Sequence, residues 1–220
     1  MSPDPKKPMN DIRVVAFDCD GVMFDSVQAN MDYYNSILEH FGKPLMTPEQ
    51  FAHAHMHTAN EVLANLFSDP QALEAALEFR KKMSYWPFIK DMKIEPGLKS
   101  LLEKIRPKYG TAVATNRSDT MQGIIAEHGL EGCFDFVVCA LDVKNPKPHP
   151  ESLIKIVEHF GIKPAQAIYV GDSVLDEMAA KAAGIPLVAY NNKDLSADYH
   201  ISNLKNLEEL LIPYPDSCRK

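Results

Sequence analysis

Two aspartates stand two residues apart in Phe17-Asp18-Cys19-Asp20-Gly21, where an apolar run from Ile12 to Phe17 meets the first glycine of the chain. Such a run reads as a buried strand of the parallel-sheet type, which puts Asp18 at its carboxyl end, where open α/β sheets bind ligands. One carboxylate can attack as a nucleophile while its neighbour holds or delivers a proton, and both lie close to a backbone carbonyl able to help bind a hard cation. Ionised carboxylates this close repel, and Mg²⁺ is their natural counter-charge. The same residues also make an ordinary acidic turn, since turns favour Asp and Gly. Other strand ends must decide between the two.

Thr111 to Ala114 is β-leaning and ends in Thr115-Asn116-Arg117-Ser118. The Thr115 hydroxyl either holds a phosphoryl oxygen or caps a helix that Ser118 and Asp119 open ahead of Met121, Ile124, Ile125 and His128. In Asn145-Pro146-Lys147-Pro148-His149-Pro150 three prolines are expected to hold an extended loop with Lys147 on it, either solvated or facing a site. Ala167 to Val170 is another buried-strand candidate, followed by Gly171-Asp172-Ser173 and then Asp176. Asp172 would supply a second anionic metal ligand at a third strand end.

Taken in order, Asp-x-Asp, Thr, Lys and Gly-Asp-x-x-x-Asp resemble the four motifs of the haloacid-dehalogenase superfamily. The likeness continues through Asp25-Ser26, Glu95-Pro96-Gly97-Leu98, Lys147-Pro148-x-Pro150 and Ala179-Ala180-Lys181-Ala182-Ala183-Gly184, from about Ile12 to Leu211. It is closest to the phosphoglycolate phosphatase and β-phosphoglucomutase branch, with departures at Val22, where that branch usually has Thr, and at Asn191-Asn192, where it has a glycine-containing turn. The resemblance implies a Mg²⁺-dependent phosphatase of a small phosphorylated metabolite. Asp18 would be the nucleophile and Asp20 the acid and base, and Mg²⁺ would be held by Asp18, Asp172 and the Asp20 carbonyl. Lys147, Thr115 and Asn116 would bind phosphoryl oxygens with Arg117 adding positive charge, and Asp176 and Ser173 would support them from behind. A sugar-phosphate mutase shares this core. A phosphonate-cleaving enzyme would need a cap lysine, for which Lys43 is the nearest candidate. A dehalogenase has no use for Asp20, a receiver domain has no cap, and an inactive scaffold would be expected to have lost one of Asp18, Asp20, Lys147 or Asp172.

Composition agrees with an enzyme of this kind. The 220 residues can bury one sizeable core and a smaller second unit, and 45% hydrophobic residues is ordinary for a globular chain. A formal charge of -7 and the lack of a basic run disfavour nucleic acid or anionic membrane as partners. No stretch approaches the ~20 apolar residues of a membrane span, and the first ten residues are too polar for a secretory signal. Cys19, Cys133, Cys139 and Cys218 show no disulfide-like spacing, so a reducing, cytoplasmic setting is expected. Either a monomer or a homodimer is compatible with these features.

The elements that must position these residues alternate β-type runs near 111–115, 136–139, 167–170 and 187–190 with helices, the pattern of an α/β, doubly wound parallel-sheet, Rossmann-like core. Between the first strand and the second lies an α-helical insertion. Val27, Met31, Tyr34, Ile37, Leu38 and Phe41 recur at helical spacing, Thr47-Pro48-Glu49-Gln50 forms a capped start, and Asp69-Pro70 opens the last long helix. The expected division is a polar tail at 1–10, a core at 11–25 and 88–220, and a helical cap at 26–87. Within the cap, Phe51-Ala52-His53-Ala54-His55-Met56-His57-Thr58 places His53 and His57 on one helix face and His55 on another, without the partners of a zinc site. These histidines either form a solvated face or place His55 or His57 over the active site, in a segment expected between two cap helices. Tyr85 and Trp86 are expected to pack the hinge.

Overall fold

Val14–Phe17 forms β1 at the centre of a parallel sheet, with an apolar strand hydrogen-bonded on each side. The computed structural model describes residues 11–212. The polar tail at 1–10 and Cys218 lie outside the described residues. In chain order, β1 is followed by β2 (Phe24–Asp25), α1 (Val27–His40), α2 (Pro48–Met56), α3 (Ala59–Leu66), α4 (Pro70–Lys82), α5 (Trp86–Ile89) and β3 (Lys93–Ile94). Then come α6 (Leu98–Ile105), β4 (Gly110–Ala114), α7 (Met121–Glu127), β5 (Phe136–Val138), α8 (Glu151–Phe160) and β6 (Ala167–Gly171). The described chain closes with α9 (Val174–Ala183), β7 (Leu187–Tyr190), β8 (Tyr199–Ile201) and α10 (Leu204–Leu211).

The sheet runs β5-β4-β1-β6-β7-β8, every pair parallel. The chain works outward from β1 to one edge and then returns to build the other. This is the doubly wound arrangement, with its ligand crevice beyond the strand ends where the order reverses. Because alternate strand residues point to opposite faces, Val14 and Ala16 join Leu153 and Ile156 of α8 on one side. Val15 and Phe17 join the apolar side of α6, α7 and α10 on the other.

Helices α1 to α5 are inserted between β2 and β3, which pair antiparallel through Phe24↔Ile94 and Asp25↔Lys93. The chain therefore leaves and re-enters the core side by side. Ile37, Leu63 and Phe67 of the inserted helices belong to the same buried cluster as Phe17 and Val113. Local signals set the helix starts. Thr47 and Gln50 form the expected capping box, Thr58 and Glu61 form another, and the Asp69 side chain accepts from the Ala72 N–H.

Three expectations change. Helix α7 begins at Met121, so Thr115 does not cap it, and the Thr115 hydroxyl instead accepts from the Arg117 N–H at 3.1 Å. The Thr115 backbone N–H donates to the Val138 carbonyl at 3.0 Å, so it extends β4's pairing. The Asn145–Pro150 segment is a series of turns with a cis Lys147–Pro148 bond, because the chain must fold back to aim Lys147 inward. Helix α2 runs on to Met56, so His53 and His55 are helical and only His57 and Thr58 link α2 to α3.

Candidate active site

Three strand ends converge. The Asp18 N–H donates to the Val170 carbonyl at 2.9 Å, continuing the β1 to β6 register by one residue and fixing the Asp18 side chain over the crevice. Gly21 then turns the chain with φ +75°, and a Cβ there would lie 2.1 Å from Asp172 Oδ2. Only glycine lets this loop close on the end of β6. Carboxylate oxygens of Asp18, Asp172 and Asp176 consequently lie within 4.8 Å of one another.

Lys147 is buried in the middle of this cluster, with Nζ 2.9 Å from Asp18 and 2.7 Å from Asp176. It also donates to the Tyr169 hydroxyl at 3.0 Å. Asn116 holds the lysine's backbone through two reciprocal hydrogen bonds of 2.9 Å. Asp176 is saturated: Lys147 and the Tyr169 hydroxyl donate to Oδ1, while the Ser173 hydroxyl at 2.6 Å and N–H at 3.0 Å donate to Oδ2. It anchors the lysine and has little left to offer a ligand.

One ammonium faces three carboxylates, and the imbalance falls on the two less well bonded. Burial, then the neighbouring carboxylates, push Asp172 up to about 8. Burial also drives Asp18 up to about 7, although Lys147 pulls the other way. For Asp176 burial is outweighed by Lys147 and by the hydrogen bonds from Ser173 and Tyr169, which hold it below the usual carboxylate range. The donors free to accept a cation, the side chains of Asp18 and Asp172 with the Asp20 carbonyl in the same loop, are all oxygens. That set fits a hard divalent ion and lacks the nitrogen or sulfur a structural zinc site uses.

Asp20 turns away from this cluster. Arg117 grips it through Nε to Oδ2 at 2.8 Å and Nη2 to Oδ1 at 2.5 Å, while the Ser26 hydroxyl and Asn30 Nδ2 also donate to Oδ1. Burial alone would raise this carboxyl, but the guanidinium and the hydrogen bonds hold it at about 2. The Tyr85 hydroxyl donates to Asn30 Oδ1 at 2.6 Å, and the Arg117 guanidinium lies 5.1 Å from the Tyr85 ring centre.

The inserted helices close over these groups. Asn116 Nδ2 donates to the Met56 carbonyl at 3.1 Å, and Arg80 of α4 pairs with Asp119 at 3.1 Å. Between them lies a cavity of about 60 Å³, walled by Asp18, Asp20, Thr115 and Lys147 below and by His55, His57, Tyr33 and Arg80 above. A wider cleft of about 660 Å³, between Phe51 and Met56 on one side and Asp172 and Asn192 on the other, lies beside it.

A family model of haloacid dehalogenase-like hydrolases matches residues 15–190, spanning all three strand ends. The chain belongs to this hydrolase family. A hydrolase of the haloacid dehalogenase superfamily, subfamily IA, from Geobacter sulfurreducens is 38% identical, with a TM-score of 0.75 over 94% of this chain and 99% of that one. A phosphoglycolate phosphatase of Escherichia coli O157:H7 is 30% identical over 81% of each chain, and one of Chromobacterium violaceum is 27% identical over 91% of this chain and 96% of its own. β-Phosphoglucomutase of Clostridium difficile, 19% identical with a TM-score of 0.79 over 91% of this chain and 97% of that one, shares the fold.

In this haloacid dehalogenase-like hydrolase the structure brings Asp18, Asp20, Thr115, Asn116, Arg117 and Lys147 to one cavity with His55 and His57. Asp172 and Ser173 line the adjoining cleft, and Asp176 lies behind them. His53 stacks on His57 with ring centres 3.8 Å apart and does not line the cavity. Lys43 lies over the Phe67 ring at 4.9 Å, away from it. Tyr85 was expected to pack the hinge and instead faces the cavity, whereas Trp86 is exposed. Sequence reading also misses Asn30, Tyr169 and Arg80, whose roles depend on how a helix or strand face meets its neighbours. Ser26 alone carried a signal, the Asp25-Ser26 pair after the first loop.

Proposed function

We propose that this enzyme is a Mg²⁺-dependent phosphatase that hydrolyses small phosphate monoesters, phosphoglycolate among the first to test, through an aspartyl-phosphate on Asp18. The observation that carries this is the meeting of Asp18, Thr115 and Lys147, from two strand ends and one loop, at a single small cavity, with Asp172 of a third strand end reaching within 4.8 Å of Asp18 from the adjoining cleft. The phosphatase relatives support the same reaction class.

An Asp18 oxygen attacks phosphorus and the P–O bond to the alcohol breaks. Lys147, the Thr115 hydroxyl and the backbone N–H of Asn116 would take charge on the other phosphoryl oxygens. Mg²⁺ held by Asp18, Asp172 and the Asp20 carbonyl would offset the repulsion between carboxylate and phosphate dianion. Asp20 protonates the departing oxygen, then takes a proton from the water that cleaves the acyl-phosphate. The Arg117 grip keeps Asp20 ionised, which suits its second task. For the first, Arg117 must turn toward the incoming anion and release Asp20 to carry a proton.

Two neighbouring activities fit less well. A hexose phosphate would have to extend from the cavity of about 60 Å³ into the adjoining cleft of about 660 Å³, away from Arg117 and Lys147. A Schiff-base route to phosphonate cleavage would require Lys43 at the cavity, and its ammonium lies against Phe67 and the Leu66 carbonyl. The test is a panel of phosphate monoesters assayed with Mg²⁺ and again with excess EDTA. Turnover of small esters that EDTA abolishes supports the proposal, and either no turnover at all or turnover indifferent to EDTA overturns it.

A further inference from the structure

Three cationic side chains line the cavity, Lys147, Arg117 and Arg80. Lys147 pairs with Asp18 and Asp176 and Arg117 with Asp20, all of them buried or nearly so, and the phosphatase reading commits both cations to the phosphoryl group. Arg80 differs. Its side chain is 13% exposed, its one ion-pair partner, Asp119, is 59% exposed, and only Nη2 makes that contact. Among the described residues, buried Arg80 Nε has no hydrogen-bond partner, and neither does buried Nδ1 of His55, which lines the same cavity. Buried N–H groups are nearly always paired, so an unpaired guanidinium nitrogen on a cavity wall points to an acceptor that belongs there.

Charge around the cavity favours an anion at that place. The wall built by α1 to α5 contributes no carboxylate, and every acidic lining residue, Asp18, Asp20 and Asp119, comes from the core loops. The core handles the phosphoryl group, so whatever meets Arg80 is carried by the leaving alcohol. With about 60 Å³ available, that alcohol is small. A carboxylate matches the fork of a guanidinium in both shape and charge.

Resting on the phosphatase reading, we infer that Arg80 is the specificity-determining residue of this enzyme: with His55 beside it, it binds a carboxylate on the leaving alcohol, selecting phosphate monoesters of small hydroxy acids. Asp119 holds Arg80 in place until substrate arrives, and being exposed it competes weakly.

The experiment compares kcat/KM for 2-phosphoglycolate and 2-hydroxyethyl phosphate, which match in length and differ in the carboxylate, in wild type, Arg80→Gln and Asp119→Asn, each checked for folding by thermal melting. Wild type should prefer 2-phosphoglycolate. Arg80→Gln should lose about 10- to 100-fold on that ester, the range of a lost hydrogen bond to a charged group, and change little on the neutral one. Asp119→Asn, which keeps the arginine and removes the ion pair, should retain the preference. Equal losses on both esters in Arg80→Gln, no loss on either, or the same selective loss in Asp119→Asn would overturn the assignment. Wild-type turnover of both esters without preference would remove the role of Arg80 and leave the phosphatase standing, whereas turnover of neither would remove both.

Discussion

Replacing Asp172 with Asn is expected to make the metal-free protein more stable at pH 8 and to abolish its stabilisation by Mg²⁺. Asp172 is pushed from 3.8 to about 8 by burial and by its neighbours Asp18 and Asp176. Between those two values the native state holds a proton that the unfolded chain has released, so the unfolding free energy falls as pH rises through the window. Asp18, pushed up to about 7, contributes in the same direction. At about 1.4 kcal/mol per pH unit, the Asp172 shift sets a ceiling near 6 kcal/mol. Because Asp172 is partly exposed, solvent screens much of it and about 1–3 kcal/mol should remain. For a chain of this size that is about 3–10 °C in Tm. Melting curves of wild type and Asp172→Asn in EDTA, at pH 5.5 and 8, should show the variant higher at both, by less than half as much at pH 5.5 as at pH 8. With Mg²⁺ added, wild type should rise more at pH 8, and the variant should not respond. A variant that melts below wild type at pH 8 without metal, or that keeps the Mg²⁺ shift, would refute the reasoning.

Three further perturbations test separate parts of the site. Lys147→Met leaves Asp18 and Asp176 buried without a counter-charge, which should cost about 3–5 kcal/mol at pH 8 in urea unfolding and less at pH 5, where Asp18 takes up a proton; equal costs at both pH values would contradict this. Gly21→Ala forces a Cβ to within 2.1 Å of Asp172 Oδ2 at φ +75°, so the Mg²⁺ concentration for half-maximal activity should rise at least about tenfold; an unchanged Mg²⁺ titration would show that the loop is not part of the metal site. Asp20→Asn should lower kcat by about 10² to 10⁴ with Mg²⁺ and substrate binding retained, and a near-normal kcat would remove Asp20 from proton transfer.

The core of this site was legible because each part follows an apolar β run, and a polar residue at the end of such a run has one place to be in a doubly wound sheet. That holds for Asp18, Thr115 and Asp172. Lys147 was harder, since its burial depends on a turn and on Asn116 gripping its backbone, neither of which leaves a periodic signal. Strands β2 and β3 are too short, at two residues each, for alternation to show, and β8 is interrupted by the exposed His200 and so gives no apolar run. The inserted helices were found from their spacing and caps, but spacing reports which face is apolar and not what a polar face meets. Asn30, Tyr85 and Arg80 reach the cavity through the way α1, α4 and α5 lie on the core, a tertiary fact. Extension of α2 to Met56 likewise depends on α2 packing against α1 and α3.

The central claim is that Asp18 itself carries the phosphoryl group. It is tested by mixing enzyme, Mg²⁺ and a good ester, quenching in acid during turnover, and mapping the modified residue by mass spectrometry in the peptide that begins at Val14. One phosphoryl group on Asp18, absent from Asp18→Asn together with all turnover, is the predicted result. Phosphate on another residue, or an Asp18→Asn enzyme that keeps more than a few per cent of wild-type turnover, would contradict the account.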